Sequence, residues 1–270
     1  MTGDPVAHKE RQREMWALGD YSAVARHFEA AAAELVAACA VAPGDRILDV
    51  AAGNGNVALA AAAAGAEVVA SDLTPALIEL GRARTQAAGA AVQWVEADAE
   101  ALPFADASFD VVTSVFGLIF APRPEIAIAE AFGVARPGGV VGLTAWTPEG
   151  ATGRFRRTIG AHLPATEDPP PDPSLWGDEP TARARLAPHT ADVEVVRGNV
   201  RWVFPSLPGA REEIESSVGA LVAARALLEP QAYVAMIDEL EALVRELNVA
   251  TDGSVAYDSE YLRIVARRPR

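Results

Sequence analysis

One stretch of this chain constrains its fold more than any other: Arg46-Ile-Leu-Asp-Val-Ala-Ala-Gly-Asn-Gly-Asn-Val57. A short apolar run ends in an acid, Asp49. It breaks into a small-residue turn (Ala51, Gly53, Asn54, Gly55) and passes directly into the alanine-rich segment Ala58–Ala64. Parallel α/β sheets build ligand sites this way. Glycines admit a ligand close to the backbone, the following helix offers unpaired N–H groups, and the acid at the strand tip faces the ligand.

The turn alone leaves two readings open, because Gly53 to Ala58 also spells G-x-G-x-x-A, the dinucleotide fingerprint. Two further acids narrow the choice. Asp72 ends the apolar run Glu67-Val-Val-Ala-Ser71, about 20 residues past the glycines, where a second strand presents a carboxylate to a ribose diol. Asp98 follows a third run, Val92-Gln-Trp-Val-Glu96. Acids at three successive strand ends fit a ligand with a cationic amino-acid end, a ribose and an adenine ring.

With these residues in place, the chain resembles the class I S-adenosylmethionine-dependent methyltransferases, in particular the small-molecule group that includes the quinone-biosynthesis C-methyltransferases. The resemblance spans roughly residues 20 to 147. It rests on Leu48–Gly55, Ser71-Asp-Leu-Thr-Pro75, Glu96–Phe104, Ser108-Phe-Asp-Val-Val112 and Arg136-Pro-Gly-Gly139. It implies S-adenosylmethionine as cofactor, with S-adenosylhomocysteine as product. Asp49 would orient the turn and meet the ligand's ammonium; Asp98 and the Ala99 N–H would clamp the adenine. Leu73 would pack on the base, and Ser114 and Val115 would lie under the methyl donor. A core leucine and a buried strand serine explain Leu73 and Ser114 equally well. The aromatic segment Trp16, Tyr21, His27 and Phe28 reads either as an ordinary amphipathic helix or as a lid whose Tyr21 reaches the cofactor carboxylate. Tyr21 and His27 are the general-base candidates. Ala51 departs from the glycine common in the family, a mild change if its φ is negative.

Strand and helix patterns alternate from residue 46 to 145: strands at 46–50, 67–71, 92–96, 109–115 and 139–145, with helices at 55–64, 75–88 and 124–135. Thr74 is expected to cap the second helix, with Pro75 at its first position. Gly65, Gly89 and Gly133 are placed near helix ends. The strands are continuous apolar runs, as in sheets covered on both faces. The fold class expected is α/β: a doubly wound, mostly parallel, seven-stranded Rossmann-like sheet with an antiparallel C-terminal strand, an N-terminal helical lid and an inserted helical substrate cap. The lid is assigned to residues 1–42, the cofactor core to 43–147, and the cap with the final strands to 148–270. Residues 1–13 are expected to be mobile. The proline-rich 164–173 segment reads as a loop, followed by short strands at 192–196 and 200–204, two amphipathic helices, and a strand through Tyr261–Val265.

A net charge of -14 and a single lysine, Lys9, argue against nucleic acid as partner. The cluster Arg154, Arg156 and Arg157 is expected to be a solvated helix face. His8, His162 and His189 stand alone and are expected to be solvated, and no metal-ligand spacing is present. Cys39 is the sole cysteine, and no apolar run reaches membrane-spanning length. The expectation is a cytoplasmic monomer or homodimer acting on a small-molecule acceptor, away from membranes. Phe116, Phe120, Trp146, Phe155, Trp176 and Trp202 could line an apolar pocket, with core packing the better explanation for most. The leading function is transfer of a methyl group to an O, N or C atom of a small, partly apolar metabolite. The rivals are a nicotinamide-dependent oxidoreductase and a non-methylating cofactor-binding protein or cyclase.

Overall fold

A computed structural model describes residues 5–165 and 169–270. The expected polar N-terminus falls partly outside these residues (1–4), as does the proline-rich loop (166–168).

In chain order the helices are α1 (Pro5–Trp16), α2 (Tyr21–Ala25), α3 (Glu29–Ala38), α4 (Asn56–Ala63), α5 (Pro75–Ala87), α6 (Pro124–Val134), α7 (Ala151–His162), α8 (Glu179–Leu186), α9 (Leu207–Ser217), α10 (Gly219–Leu227) and α11 (Pro230–Leu247). The strands are β1 (Arg46–Val50), β2 (Glu67–Asp72), β3 (Val92–Glu96), β4 (Phe109–Val115), β5 (Ala135–Trp146), β6 (Val193–Phe204) and β7 (Val255–Arg267). They form one seven-stranded sheet in the order β3-β2-β1-β4-β5-β7-β6. The first five are parallel, and β7 lies antiparallel to both β5 and β6.

Why these runs become strands follows from their burial. Ile47, Leu48, Asp49 and Val50 are all buried, because helices cover both faces of the sheet. On one face Ala32, Leu35 and Val36 of α3 and Val57, Ala58 and Ala61 of α4 pack over Ile47, Val68 and Val111. On the other, Ala127, Ile128, Ala131 and Phe132 of α6 cover Leu48, Val112 and Leu143. Cys39 is buried on the α3/α4 face without a disulfide, and burial pushes its thiol up to about 12, so it serves as a small apolar residue. A third cluster (Leu221, Ala224, Tyr233, Met236, Ile237 and Leu240) belongs to α10 and α11, apart from the sheet.

Several expectations are corrected. Residues 5–13 form part of α1, which buries no side chain and is tied down by polar contacts. The two short strands near 192–204 are one, because Gly198 lets the Tyr261 ring lie against the backbone and pairing with β7 continues. The first of the two C-terminal helices is broken at Val218, whose extended backbone separates α9 from α10. Pro75 does open α5, but Thr74 makes no side-chain cap bond. Its N–H instead donates to Asp72 Oδ1 at 2.8 Å. Gly133 lies inside α6, not beyond it.

Candidate functional site

At the carboxyl ends of β1, β2 and β4 the chain turns sharply, and the turn is left-handed at more than its glycines. Gly53 has φ +57° and Gly55 +88°, but Ala51 also sits at +53°. The expectation of negative φ for Ala51 fails, and its methyl carries a cost of about 1–2 kcal/mol. Space for that methyl comes from Gly117: a Cβ there would stand 2.6 Å from the Ala51 Cβ and carbonyl oxygen. Phe116, at φ +55°, is a second strained residue at the same place, its ring stacked 3.7 Å from Trp146.

The three acids occupy distinct environments. Asp49 is 1% exposed; Oδ1 is 3.4 Å from the Thr113 hydroxyl, and Oδ2 has no hydrogen-bond partner among the described residues. Burial, then the nearby Asp72 charge, raises its pKa well above the carboxylate range. Asp72 is fastened by two backbone donors, Gly53 N and Thr74 N, each at 2.8 Å. Burial raises its pKa, and these bonds oppose the shift. Asp98 accepts from the Glu100 N–H, and its Oδ2 lies 2.6 Å from Lys9 Nζ. Lys9 also meets Glu100 at 2.5 Å, whose other partner is Arg123. Arg13 pairs with Glu96, and Gln12 donates to the Phe120 carbonyl at 2.8 Å. A helix with no buried residue is thus laid across the strand ends by its charges.

These elements enclose a crevice of about 80 Å³, lined by Ala51, Gly53, Asp72, Leu73, Asp98, Ala99 and Tyr21 from the sequence-derived set. Asp49, Asn54, Gly55, Ser114 and Val115 do not line it. Ser114 is engaged structurally, donating to Val50 O at 2.7 Å and accepting from Leu118 N at 2.8 Å. Asn54 accepts from Arg84, and Gly55 lies under the Trp94 ring. The sequence reading missed Lys9, Gln12 and the Gly117–Pro122 segment. Their only signal was position: a cationic helix before the first strand, and the loop after β4. Tyr21 fills much of the crevice, since a Cβ on Gly53 would be 2.8 Å from its hydroxyl. Burial, then Asp72 and Asp49, pushes its phenol far above the ordinary value. That direction favours the protonated phenol, which can donate a hydrogen bond.

Beyond Gln12, Trp16, Tyr21, Phe116 and Phe120 the crevice adjoins a cavity of about 720 Å³. Phe116, Phe120, Trp146, Phe155 and Trp202 line it, so the aromatic set is mostly wall; only Trp176 is pure core. His27 lines neither space. It stacks on Trp202 at 4.3 Å and stands 3.4 Å from Glu213, and burial lowers its pKa. The expectation of solvated lone histidines also fails. His8 faces the large cavity with a buried, unpartnered Nε2, His189 stacks on Phe132, and His162 meets Glu239. Of the arginine trio, Arg154 pairs with Glu246, while Arg156 and Arg157 both line the cavity, Arg157 also reaching the Pro148 carbonyl. No helix among the described residues is long and apolar enough to cross a membrane.

Comparison with known proteins bears on this geometry. A family model described as a methyltransferase domain matches residues 48–143. An uncharacterized protein of Mycobacterium tuberculosis (strain ATCC 25618 / H37Rv) is 39% identical over 271 residues, covering 99% of this chain and 97% of its own. A demethylmenaquinone methyltransferase of Clavibacter sepedonicus is 49% identical over 102 residues, 37% of this chain and 41% of that protein. Among solved structures, a candidate methyltransferase from Bacillus halodurans C-125 superposes with a TM-score of 0.62 at 24% identity, covering 88% of this chain and 99% of that one.

Proposed function

The chain belongs to the class I S-adenosylmethionine-dependent methyltransferases, and from that premise we propose that it methylates a small, partly apolar acceptor held in the 720 Å³ cavity. The observation that carries the reading is the junction itself. A crevice lined by the Asp72 and Asp98 carboxyls, with Asp49 buried behind it, opens onto an aromatic-walled cavity, and the two share Gln12, Trp16, Tyr21, Phe116 and Phe120.

The residues present suit such a cofactor. The unpartnered Asp49 Oδ2 is a buried acceptor awaiting a cationic donor. Gly53 offers a backbone cradle that any side chain would fill. Asp72 and Asp98 supply acceptors for hydroxyl and amine groups, and Leu73 and Ala99 supply apolar and N–H surface. The bound cofactor contributes a methyl group already activated on a sulfonium. The chain's own task is then alignment and exclusion of water, which can supply effective molarities on the order of 10⁵–10⁸ M. Tyr21 donates from its retained phenol proton; Phe116 and Phe120 form the partition across which donor and acceptor face each other.

The crevice is smaller than the roughly 300–1,000 Å³ of usual ligand sites. Cofactor entry in this reading requires Tyr21 and α1 to withdraw and Lys9 to release Asp98. Labour divides along the chain: 1–42 covers, 43–147 holds cofactor, and 148–270 shapes the acceptor cavity while completing the sheet.

Calorimetric titration of the purified protein with S-adenosylmethionine and with NAD is the direct test. Binding of the first alone, followed by release of S-adenosylhomocysteine with a member of a metabolite library, is expected. Preference for NAD would reject the reading. Tight cofactor binding with no turnover across the library would favour the non-methylating alternative.

A further inference from the structure

The wall of the large cavity carries a half-buried cation, Arg156, whose acidic partner among the described residues is held only at 4.0 Å. The acids on its walls have partners, and Arg157 donates to the Pro148 carbonyl. Glu215 meets Arg211 and the Tyr233 hydroxyl, Glu241 meets Arg211 and Arg245, and Glu213 takes Arg26 in a two-pronged contact at 2.6 and 2.7 Å. Arg11 lies on the same wall but is exposed to water.

Arg156 differs from all of these. Its Nε is buried and makes no hydrogen bond among the described residues. Its one acidic neighbour among them, Asp172, stands 4.0 Å away, half in solvent and already accepting from the Ser174 N–H. The guanidinium lies over the Phe120 ring, 5.1 Å from its centroid. Burial lowers its pKa, yet a guanidinium keeps its charge at any physiological pH. A fixed charge on an aromatic-walled cavity, about a third exposed and with an unused Nε donor, favours an anion that matches its fork.

A second such nitrogen lines the same cavity. His8 Nε2 is buried and has no hydrogen-bond partner among the described residues. His8 and Gln12 share a face of α1 at i, i+4 spacing, and Gln12 grips the Phe120 carbonyl while Arg156 covers its ring. Both nitrogens thus belong to the walls of one cavity, and Arg156 lies against Phe120, the residue that borders crevice and cavity together.

We propose that Arg156 is a specificity-determining residue that binds the acidic end of the acceptor, so that the substrate is an apolar skeleton bearing a carboxylate. This rests on the methyl-transfer reading for the identity of the ligand as acceptor, but its binding chemistry can be tested without turnover.

The test is calorimetry of the full chain with 2-naphthoate against 2-naphthalenemethanol, and with decanoate against decanol. Wild type is expected to bind each acid about tenfold or more tightly than its alcohol. Arg156→Gln should abolish that preference while leaving alcohol binding unchanged, and Arg156→Lys should restore part of it. S-adenosylmethionine affinity and melting temperature, measured on the same samples, should be the same in all three proteins. Equal binding of acid and alcohol by wild type, failure of both acids to bind, or an acid preference that survives Arg156→Gln would overturn the proposal. Loss of cofactor binding in wild type would instead sink the methyl-transfer reading, and the acid preference would still judge Arg156 as an anion site.

Discussion

The crevice and the cavity meet at Phe116 and Phe120 yet are built by different means. The crevice is a backbone structure. Its shape comes from left-handed turns at Ala51, Gly53 and Phe116, and its polar groups are held by main-chain donors, as Asp72 is by Gly53 and Thr74. The cavity is a side-chain structure, in which rings from six elements and the α9–α11 cluster enclose space without filling it. A site made of backbone tolerates few substitutions; one made of side chains can be re-cut. The comparison teaches where reaction chemistry is fixed and where acceptor choice is free to vary.

The largest expected contrast lies in packing. Leu48, fully buried in the centre of the sheet, should lose about 4–5 kcal/mol on change to Ala. Leu221, equally buried but bordering open space, should lose about 2–3 kcal/mol, since its surroundings already lack partners. Urea unfolding of both variants measures this, and equal losses would break the distinction.

Next in size is Asp72→Ala. Two buried N–H groups lose their acceptor, at a cost of about 1–3 kcal/mol, and S-adenosylmethionine affinity should fall about 10- to 100-fold. Unchanged calorimetric affinity would remove Asp72 from the cofactor's contacts.

Asp49→Asn sharpens the comparison through pH. The folded pKa of Asp49 lies above its unfolded value, so the folded state holds the proton more tightly. Its contribution to stability is therefore full below the ordinary carboxylate pKa and lost as pH rises through the folded one. The Asn variant should melt higher than wild type at pH 7.5, with the advantage shrinking toward pH 4, while cofactor binding weakens. A constant difference in melting temperature would mean that Asp49 titrates alike in the folded and unfolded chain and that its pKa is not raised.

The smallest effect is expected for Lys9→Met. Freeing Asp98 from a partly exposed ion pair removes about 0.2–1 kcal/mol, so cofactor affinity should tighten a few-fold while naphthoate binding stays unchanged. Weaker cofactor binding would show that Lys9 assists the ligand rather than competing with it.

Legibility in the sequence follows the same division. The strands at 46–50, 92–96 and 109–115 were read to the residue, because continuous apolar runs between glycine turns allow little else in a covered sheet. Ala51, Gly53, Asp72, Leu73, Asp98, Ala99 and Tyr21 come together as anticipated, since local spacing puts them at strand tips or in the preceding helices. Ser114 and Val115 do not, because period-two alternation leaves open which way a strand-end residue turns. His27 was misplaced for a related reason: its helix was known, but not the face that meets β6.

What the chain's order of residues settled alone is a parallel sheet with acids and small residues at its leading edge, for apolar runs and turns act over short distances. Only the folded molecule decided that Gly117 makes room for a left-handed Ala51, that Lys9 reaches Asp98 across 89 positions, and that Arg156 lies over the Phe120 ring on a cavity wall. Those outcomes depend on contacts between distant segments, whose energies no local pattern encodes.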